Sequence, residues 1–95
     1  MQQRDGKIIF GTDAVIDSIN YKKAKLVIIT IDASEKTKKN IIYICDKNKV
    51  PYIVFGNKDD MSHAIGKTNK VVFAIKDKNL ADGIKKIIYG GDAIG

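Results

Sequence analysis

Leu26-Val27-Ile28-Ile29-Thr30-Ile31 is apolar or β-branched at every position. A strand with one wet face alternates apolar and polar side chains, so an unbroken run of this kind predicts a strand covered on both faces. That strand is expected at the centre of a sheet. Upstream, Ile8-Ile9-Phe10 reads as a short strand ended by Gly11-Thr12, where Thr12 can cap a helix and Asp13 sits near its positive end. The helix runs to about Tyr21, with Val15, Ile16 and Ile19 as its apolar stripe and Lys22-Lys23 placed to complement its negative end.

Downstream, Asp32-Ala33-Ser34 supplies a turn and cap, and Ile41, Ile44 and Cys45 mark the buried side of a helix from about Ser34 to Lys47. Val50-Pro51-Tyr52-Ile53-Val54-Phe55 reads as a third strand, with proline tolerated at its start. A short helix from about Lys58 to Ile65 leads through Gly66-Lys67-Thr68-Asn69 into a fourth strand, Lys70 to Ile75. Asp77 caps a last helix with apolar spacing Leu80, Ile84, Ile87, Ile88, and Gly90-Gly91 is expected to stop it. Strands and helices alternate throughout. The reading is α/β: a three-layer α/β/α sandwich around a central mixed sheet of about four strands.

The chain has 95 residues, 44% hydrophobic and 29% charged, with eight glycines and one proline. That is one domain's worth, 1–95, with an ordered core expected over about 7–88 and a frayed tail over 90–95. A two-domain enzyme is excluded. The single cysteine, Cys45, excludes an internal disulfide and a Cys-Cys metal site, and fits a reducing compartment. Met1 to Lys7 lacks the apolar stretch of a signal peptide, and the aliphatic run Leu26 to Ile29 is far short of a membrane span. A cytoplasmic protein without membrane attachment is expected.

Seventeen basic residues against eleven acidic ones give a net charge of +6 and a pI near 9.4. A polyanionic partner is implied, with nucleic acid the first candidate. All the cations but Arg4 are lysines. Lysine holds phosphate as a point charge, whereas arginine's planar fork is the better reader of guanine edges. Backbone phosphate contact is therefore expected to dominate.

Little points to catalysis. Asp13, Asp17 and Asp32 are the acidic set able to converge near a strand end, where carboxylates can hold magnesium. Each also has an ordinary use: Asp13 at a helix dipole, Asp17 in solvent, Asp32 opening a turn. His63, the single histidine, has no serine or cysteine placed beside it as a nucleophile, and Cys45 lies on a buried stripe where thiols are inert. Gly6 and Gly11 are wrongly spaced for a dinucleotide fingerprint, and Gly66-Lys67-Thr68 lacks the earlier glycine of a P-loop. The four tyrosines are scattered and read as structural.

Three segments combine exposed amides with polar or basic side chains: Gly11-Thr12-Asp13, Asp32 to Lys39, and Gly66 to Lys70. Helix starts attract phosphate oxygens through free N–H groups and the helix dipole. Lys36, Lys38 and Lys39 read equally well as a solvated face.

The order and spacing of Gly11-Thr12-Asp13-Ala14-Val15, Ala24 to Ile29, Asp32-Ala33-Ser34, Val50-Pro51-Tyr52 and Ala64-Ile65-Gly66-Lys67 before Lys70-Val71-Val72 resemble the ribosomal kink-turn RNA-binding family. These are small α/β/α proteins of archaeal and eukaryal large subunits, and the chain is most similar to their short bacterial YlxQ-like members. The resemblance covers about residues 7 to 88 and rests on the joint order of its segments. It implies binding to bent RNA, in which tandem sheared G·A pairs present guanine edges to a helix start while a loop covers a flipped nucleotide. The residues it assigns to RNA are Gly11, Thr12, Asp13, Ala14 and Asp17 at the helix start, Asp32, Lys36 and Lys38 in a second region, and Gly66, Lys67, Thr68, Asn69 and Lys70 in the covering loop. Where the family commonly carries Asn-Glu and a lysine three residues on, this chain has Asp13-Ala14 and Asp17. Asp13 keeps an acceptor, Ala14 has none, and Asp17 would repel phosphate.

The expectation is a non-enzymatic, ribosome-associated, monomeric protein binding structured RNA, with no cofactor, metal or small-molecule substrate. The alternative is a protein-binding or assembly module on the same fold with a degraded RNA site, and a third reading is a magnesium-dependent phosphoryl or nucleotide enzyme built on the three aspartates.

Overall fold

The computed structural model describes residues 7–64, 66 and 69–94. In chain order the elements are β1 (Ile8–Phe10), α1 (Thr12–Asn20), β2 (Leu26–Ile29), α2 (Glu35–Asn48), β3 (Tyr52–Val54), α3 (Lys58–Ala64), β4 (Val72–Ile75) and α4 (Lys78–Ile94). All four residues of β2 are buried, and the strand is internal in a sheet ordered β1-β4-β2-β3. It runs parallel to β3, with Val27 beside Tyr52 and Ile29 beside Val54, and antiparallel to β4, with Leu26 beside Ile75 and Ile29 beside Val72. β1 is antiparallel to β4. The sheet is mixed: β1, β2 and β3 point one way, and β4 returns between them.

Each face of the sheet has its own core. Val27, Ile29, Val72 and Ala74 pack with Val15 and Ile19 of α1 and Ile41 and Cys45 of α2. Leu26, Ile28, Ile53, Phe73 and Ile75 pack on the other side with Met61 of α3 and Leu80, Ala81 and Ile84 of α4. This is the three-layer sandwich expected from the unbroken run at 26–31, because a strand apolar on both faces needs helices over both. Full burial of a side chain the size of Phe73 or Leu26 contributes about 1.5–3 kcal/mol.

Several details depart from the sequence reading. β2 ends at Ile29; Thr30 stays buried, but Ile31 is 58% exposed because the chain has left the sheet for the next turn. The cap of α1 is Gly11, and Thr12 is the first helical residue. Lys22 and Lys23 lie just past the end of α1 as expected, but Lys22 sits in the left-handed region at φ 61°. Its N–H bonds the Ile19 carbonyl and the next N–H bonds that of Ser18, the bond pattern of a helix stop in which glycine is the usual residue. Lys49 ends α2 likewise at φ 59°.

At the last helix, Asp77 accepts from the Asn79 N–H at 2.9 Å, as a cap should. The helix then continues through Gly90 and Gly91 to Ile94 rather than stopping there. Seventeen helical residues span about 25 Å, against about 13 Å for the four-residue strand beneath. The helix outruns the sheet, so Ile87, although in phase with Leu80, is 78% exposed.

Candidate functional site

The strand directions decide where the polar segments meet. The C-terminal ends of β1, β2 and β3 and the N-terminal end of β4 all lie at one end of the sheet, so the turns after the first three strands and the loop before the fourth are neighbours. Backbone bonds tie them together: Gly11 N–H to Val72 O at 3.1 Å, Thr30 N–H to Val71 O at 2.9 Å, and Ile31 N–H to Gly56 O at 2.8 Å. The Lys70 ammonium lies 6.0 Å from the centroid of the Phe10 ring, at the outer reach of a cation–π contact. Segments far apart in sequence thus form one surface, the end of an α/β sheet where strand C-termini and helix starts gather.

Gly11 opens α1 at φ 98°, ψ 139°, a backbone conformation that side-chain-bearing residues rarely adopt. A Cβ placed there would meet nothing within 4 Å. The glycine is thus required by backbone geometry, and the space over it is open to an approaching molecule. Among the described residues no side chain caps the helix, and the first intrahelical bond is Val15 N–H to Gly11 O. The N–H groups of Thr12, Asp13 and Ala14 are left pointing outward with the positive end of the dipole behind them. Asp13, Ala14 and Asp17 are exposed.

Asp32 does more than open a turn. Its carboxylate accepts from the Lys58 N–H through both oxygens, at 2.9 and 3.2 Å, and so caps α3 from 26 residues away. Desolvation alone would raise the Asp32 carboxyl. The Thr30 hydroxyl dipole, the Lys58 and Asp32 amides and the Lys58 charge outweigh it and hold the group below its ordinary value of 3.8. Thr30 itself is wholly buried, and its hydroxyl makes no hydrogen bond of normal geometry among the described residues. Ser34 caps α2 by accepting from the Thr37 N–H at 3.1 Å. Lys36 is exposed, whereas Lys38 leans 3.4 Å from Glu35.

The loop before β4 is anchored by Ser62, 1% exposed, whose hydroxyl accepts from the Lys70 N–H at 2.8 Å and donates to the Lys70 carbonyl at 3.0 Å. Gly66 at φ 72° and Asn69 at φ 58° both take left-handed turns, which these residue types tolerate. Lys67 and Thr68 lie outside the described residues. Neither Ser62 nor the Asp32–Lys58 link was read from the sequence. A serine in Met61-Ser62-His63 carries no mark of its partner, although the spacing of Asn57 and Asp60, whose side chains bond at 3.0 Å, does signal a helix start.

The charge at this end is nearly balanced: Lys36, Lys38, Lys58 and Lys70 stand against Asp13, Asp32, Glu35, Asp59 and Asp60 among the described residues. Asp13, Asp17 and Asp32 do not converge, and no group of three or more His, Cys, Asp or Glu able to hold a metal ion occurs among the described residues. Cys45 is fully buried on α2, and burial, with the Asp46 charge, pushes its thiol up to about 11. Among the described residues no helix is long and apolar enough to cross a membrane.

The profile of the ribosomal protein L7Ae/L30e/S12e/Gadd45 family matches residues 1–85. RNA-binding protein YlxQ of Bacillus subtilis is 34% identical over 88 residues, covering 93% of this chain and 88% of that one. The large ribosomal subunit protein eL8 of Thermoplasma volcanium is 32% identical over 89 residues, covering 90% and 71%. A solved structure of a protein of unknown function from Bacillus halodurans C superposes with a TM-score of 0.83 at 29% identity, covering 86% of this chain and 83% of that one.

Proposed function

Because the chain belongs to the ribosomal protein L7Ae/L30e/S12e/Gadd45 family, we propose that it is a non-enzymatic RNA-binding protein that clamps a bent, kink-turn-like RNA against the Gly11 end of its sheet and works in association with the ribosome. The observation that carries this reading is the convergence of the Gly11, Asp32 and Lys70 segments on one surface. The names of its relatives, RNA-binding protein YlxQ and a large-subunit ribosomal protein, point the same way.

In this reading the bare N–H groups of Thr12, Asp13 and Ala14 meet phosphate or base-edge acceptors, and the absence of a side chain on Gly11 lets the RNA come close. Lys36 and Lys70 neutralise backbone phosphates. The loop of Gly66, Lys67, Thr68, Asn69 and Lys70, held at its end by Ser62, covers an unstacked nucleotide. Asp32 acts indirectly: by fastening the turn after β2 to the start of α3, it sets where Lys36 and Lys38 stand.

The test is a pair of hairpin RNAs, one with tandem sheared G·A pairs beside a bulge and one with those pairs made Watson–Crick, titrated between 50 and 200 mM salt. The expected result is tighter binding of the first, with log K falling against log salt by roughly 0.7–0.9 per phosphate contact. Equal binding of both with a flat salt response would overturn the reading in favour of a protein-binding module.

A further inference from the structure

Among the described residues, a cluster of lysines gathers at the end of the sheet opposite Gly11. The end of α1, the start of β2, the segment leaving α2 and the end of β4 meet there: the Lys23 and Ala24 N–H groups close α1 on Ser18 O, Lys25 N–H bonds Ile75 O at 2.7 Å, and Val27 N–H bonds Pro51 O, three residues past α2, at 3.0 Å. This packing gathers Lys22, Lys23, Lys25, Lys47, Lys49 and Lys76, of which all but the half-buried Lys76 are exposed. None of them takes part in an ion pair among the described residues. The neighbouring acids are Asp46, Asp77 and, along the groove described next, Asp17; Asp77 is already engaged by Lys7 at 3.5 Å.

A groove of about 360 Å³ leads to this pole. Its walls include Ala14, Asp17, Ser18 and Tyr21, which lie at i, i+3, i+4 and i+7 along one side of α1, with Lys23 and Lys76 at its far end. It therefore starts at the first turn of α1, beside the surface described above, and runs about 10 Å along the helix axis. Tyr21, 73% exposed, stands in it next to the lysines.

We propose that this basic pole is a second RNA-contact surface, taking the phosphate backbone of a single-stranded segment while the Tyr21 ring stacks on one of its bases. An exposed aromatic beside lysines in a groove is the arrangement that holds single strands, because every base offers a π-face and every linkage a charge. An acidic protein surface would use the lysines but has no need of the ring. The groove's continuity with the first turn of α1 means that one RNA can occupy both surfaces. Asp17, midway along, repels phosphate and leaves that stretch to bases and sugars.

The inference rests on the RNA-binding reading, and its test separates the two. Three probes are used: a minimal sheared-G·A hairpin, the same hairpin with a 12-nucleotide single-stranded tail, and a free 12-mer of uridine. The expected result is that the tail tightens binding by the parent protein. Lys22→Gln/Lys23→Gln/Lys25→Gln should lose the tail's gain, by roughly tenfold at 50 mM salt with a slope shallower by about 2, while its affinity for the minimal hairpin stays unchanged. Tyr21→Ala should also lose part of the gain, and Tyr21→Phe should keep it. Circular dichroism confirms that the variants fold. If the hairpin is unbound but the 12-mer binds in a lysine-dependent way, the pole stands and the kink-turn reading fails. A tail that adds nothing, or a triple variant that retains the gain, overturns the proposal and leaves the pole to an acidic protein partner.

Discussion

The Ser62 hydroxyl holds both backbone polar groups of Lys70, accepting from its N–H at 2.8 Å and donating to its carbonyl at 3.0 Å. One side chain on α3 thereby fixes the point at which the candidate covering loop enters the sheet. Ser62→Ala should leave both groups unpaired and cost about 1–3 kcal/mol in urea unfolding. Amide exchange at Lys70 should speed up more than exchange in β2. If Lys70 exchanges as in the parent, the serine is not its anchor.

Helix one offers the sharpest functional test. Ala14→Glu would supply an acceptor for guanine N–H groups, and a good base contact is worth about 1–3 kcal/mol. Affinity for the sheared-G·A hairpin should rise roughly 10- to 100-fold, and the gain should disappear with the Watson–Crick hairpin. Asp17→Lys removes a repulsive charge from the groove wall, so its smaller gain should persist on both RNAs and steepen the salt slope. A double variant no better than the parent would mean that RNA does not touch this helix.

Gly11→Ala isolates backbone conformation from crowding, because the added methyl would meet nothing within 4 Å. The cost, about 1–2 kcal/mol in thermal or urea unfolding, should come from the positive φ of 98° alone. RNA affinity should fall as well, since the methyl stands in the open approach to the helix start. Unchanged stability would show that the turn relaxes to another conformation.

Lys22 and Lys49 occupy left-handed positions at the ends of α1 and α2. Replacing either with glycine should stabilise the fold by roughly 0.5–1 kcal/mol, and the two gains should add because they end separate helices. Chemical denaturation reads both. A loss of stability in each variant would show that the lysine side chains contribute packing that outweighs the backbone strain.

Cys45 should react slowly with thiol reagents at pH 8, because the side chain is fully buried and its thiol is raised from 9.0 to about 11. The sign of the linkage follows: burial favours the protonated form, so the stabilisation is complete below pH 9 and is lost as pH rises through about 11. Labelling at the rate of the unfolded chain would place the thiol outside the core.

Periodicity and burial were legible in the sequence because each is written in consecutive residues. The run at 26–31 announces an internal strand, and Ile41 with Cys45 announces the inner side of α2. Partners distant in sequence were not. Nothing in Met61-Ser62-His63 points to Lys70, and nothing around Asp32 points to Lys58, since both links depend on which turns the sheet brings together. The exposure of Ile87 follows from the mismatch in length between α4 and β4, a relation between two elements rather than a property of either. Net charge was countable, but its position was not: six lysines without an ion pair among the described residues, Lys22, Lys23, Lys25, Lys47, Lys49 and Lys76, gather at the end of the sheet remote from the segments that the sequence marked for RNA.

The place of β4 in the strand order makes the pairing of β1 wait for residues 72–75. Among the described residues β1 has no neighbour in the sheet except β4, more than sixty residues later, and β4 also closes the second side of β2. During synthesis, β2, α2 and β3 can assemble as a local parallel unit, but the pairing of β1 with β4 waits until residues 72–75 emerge. The first strand is thus drawn in by a long-range closure. High contact order of this kind slows folding and leaves β1 without its β4 partner until residues 72–75 are in place, although α1 can already pack on α2 and β2.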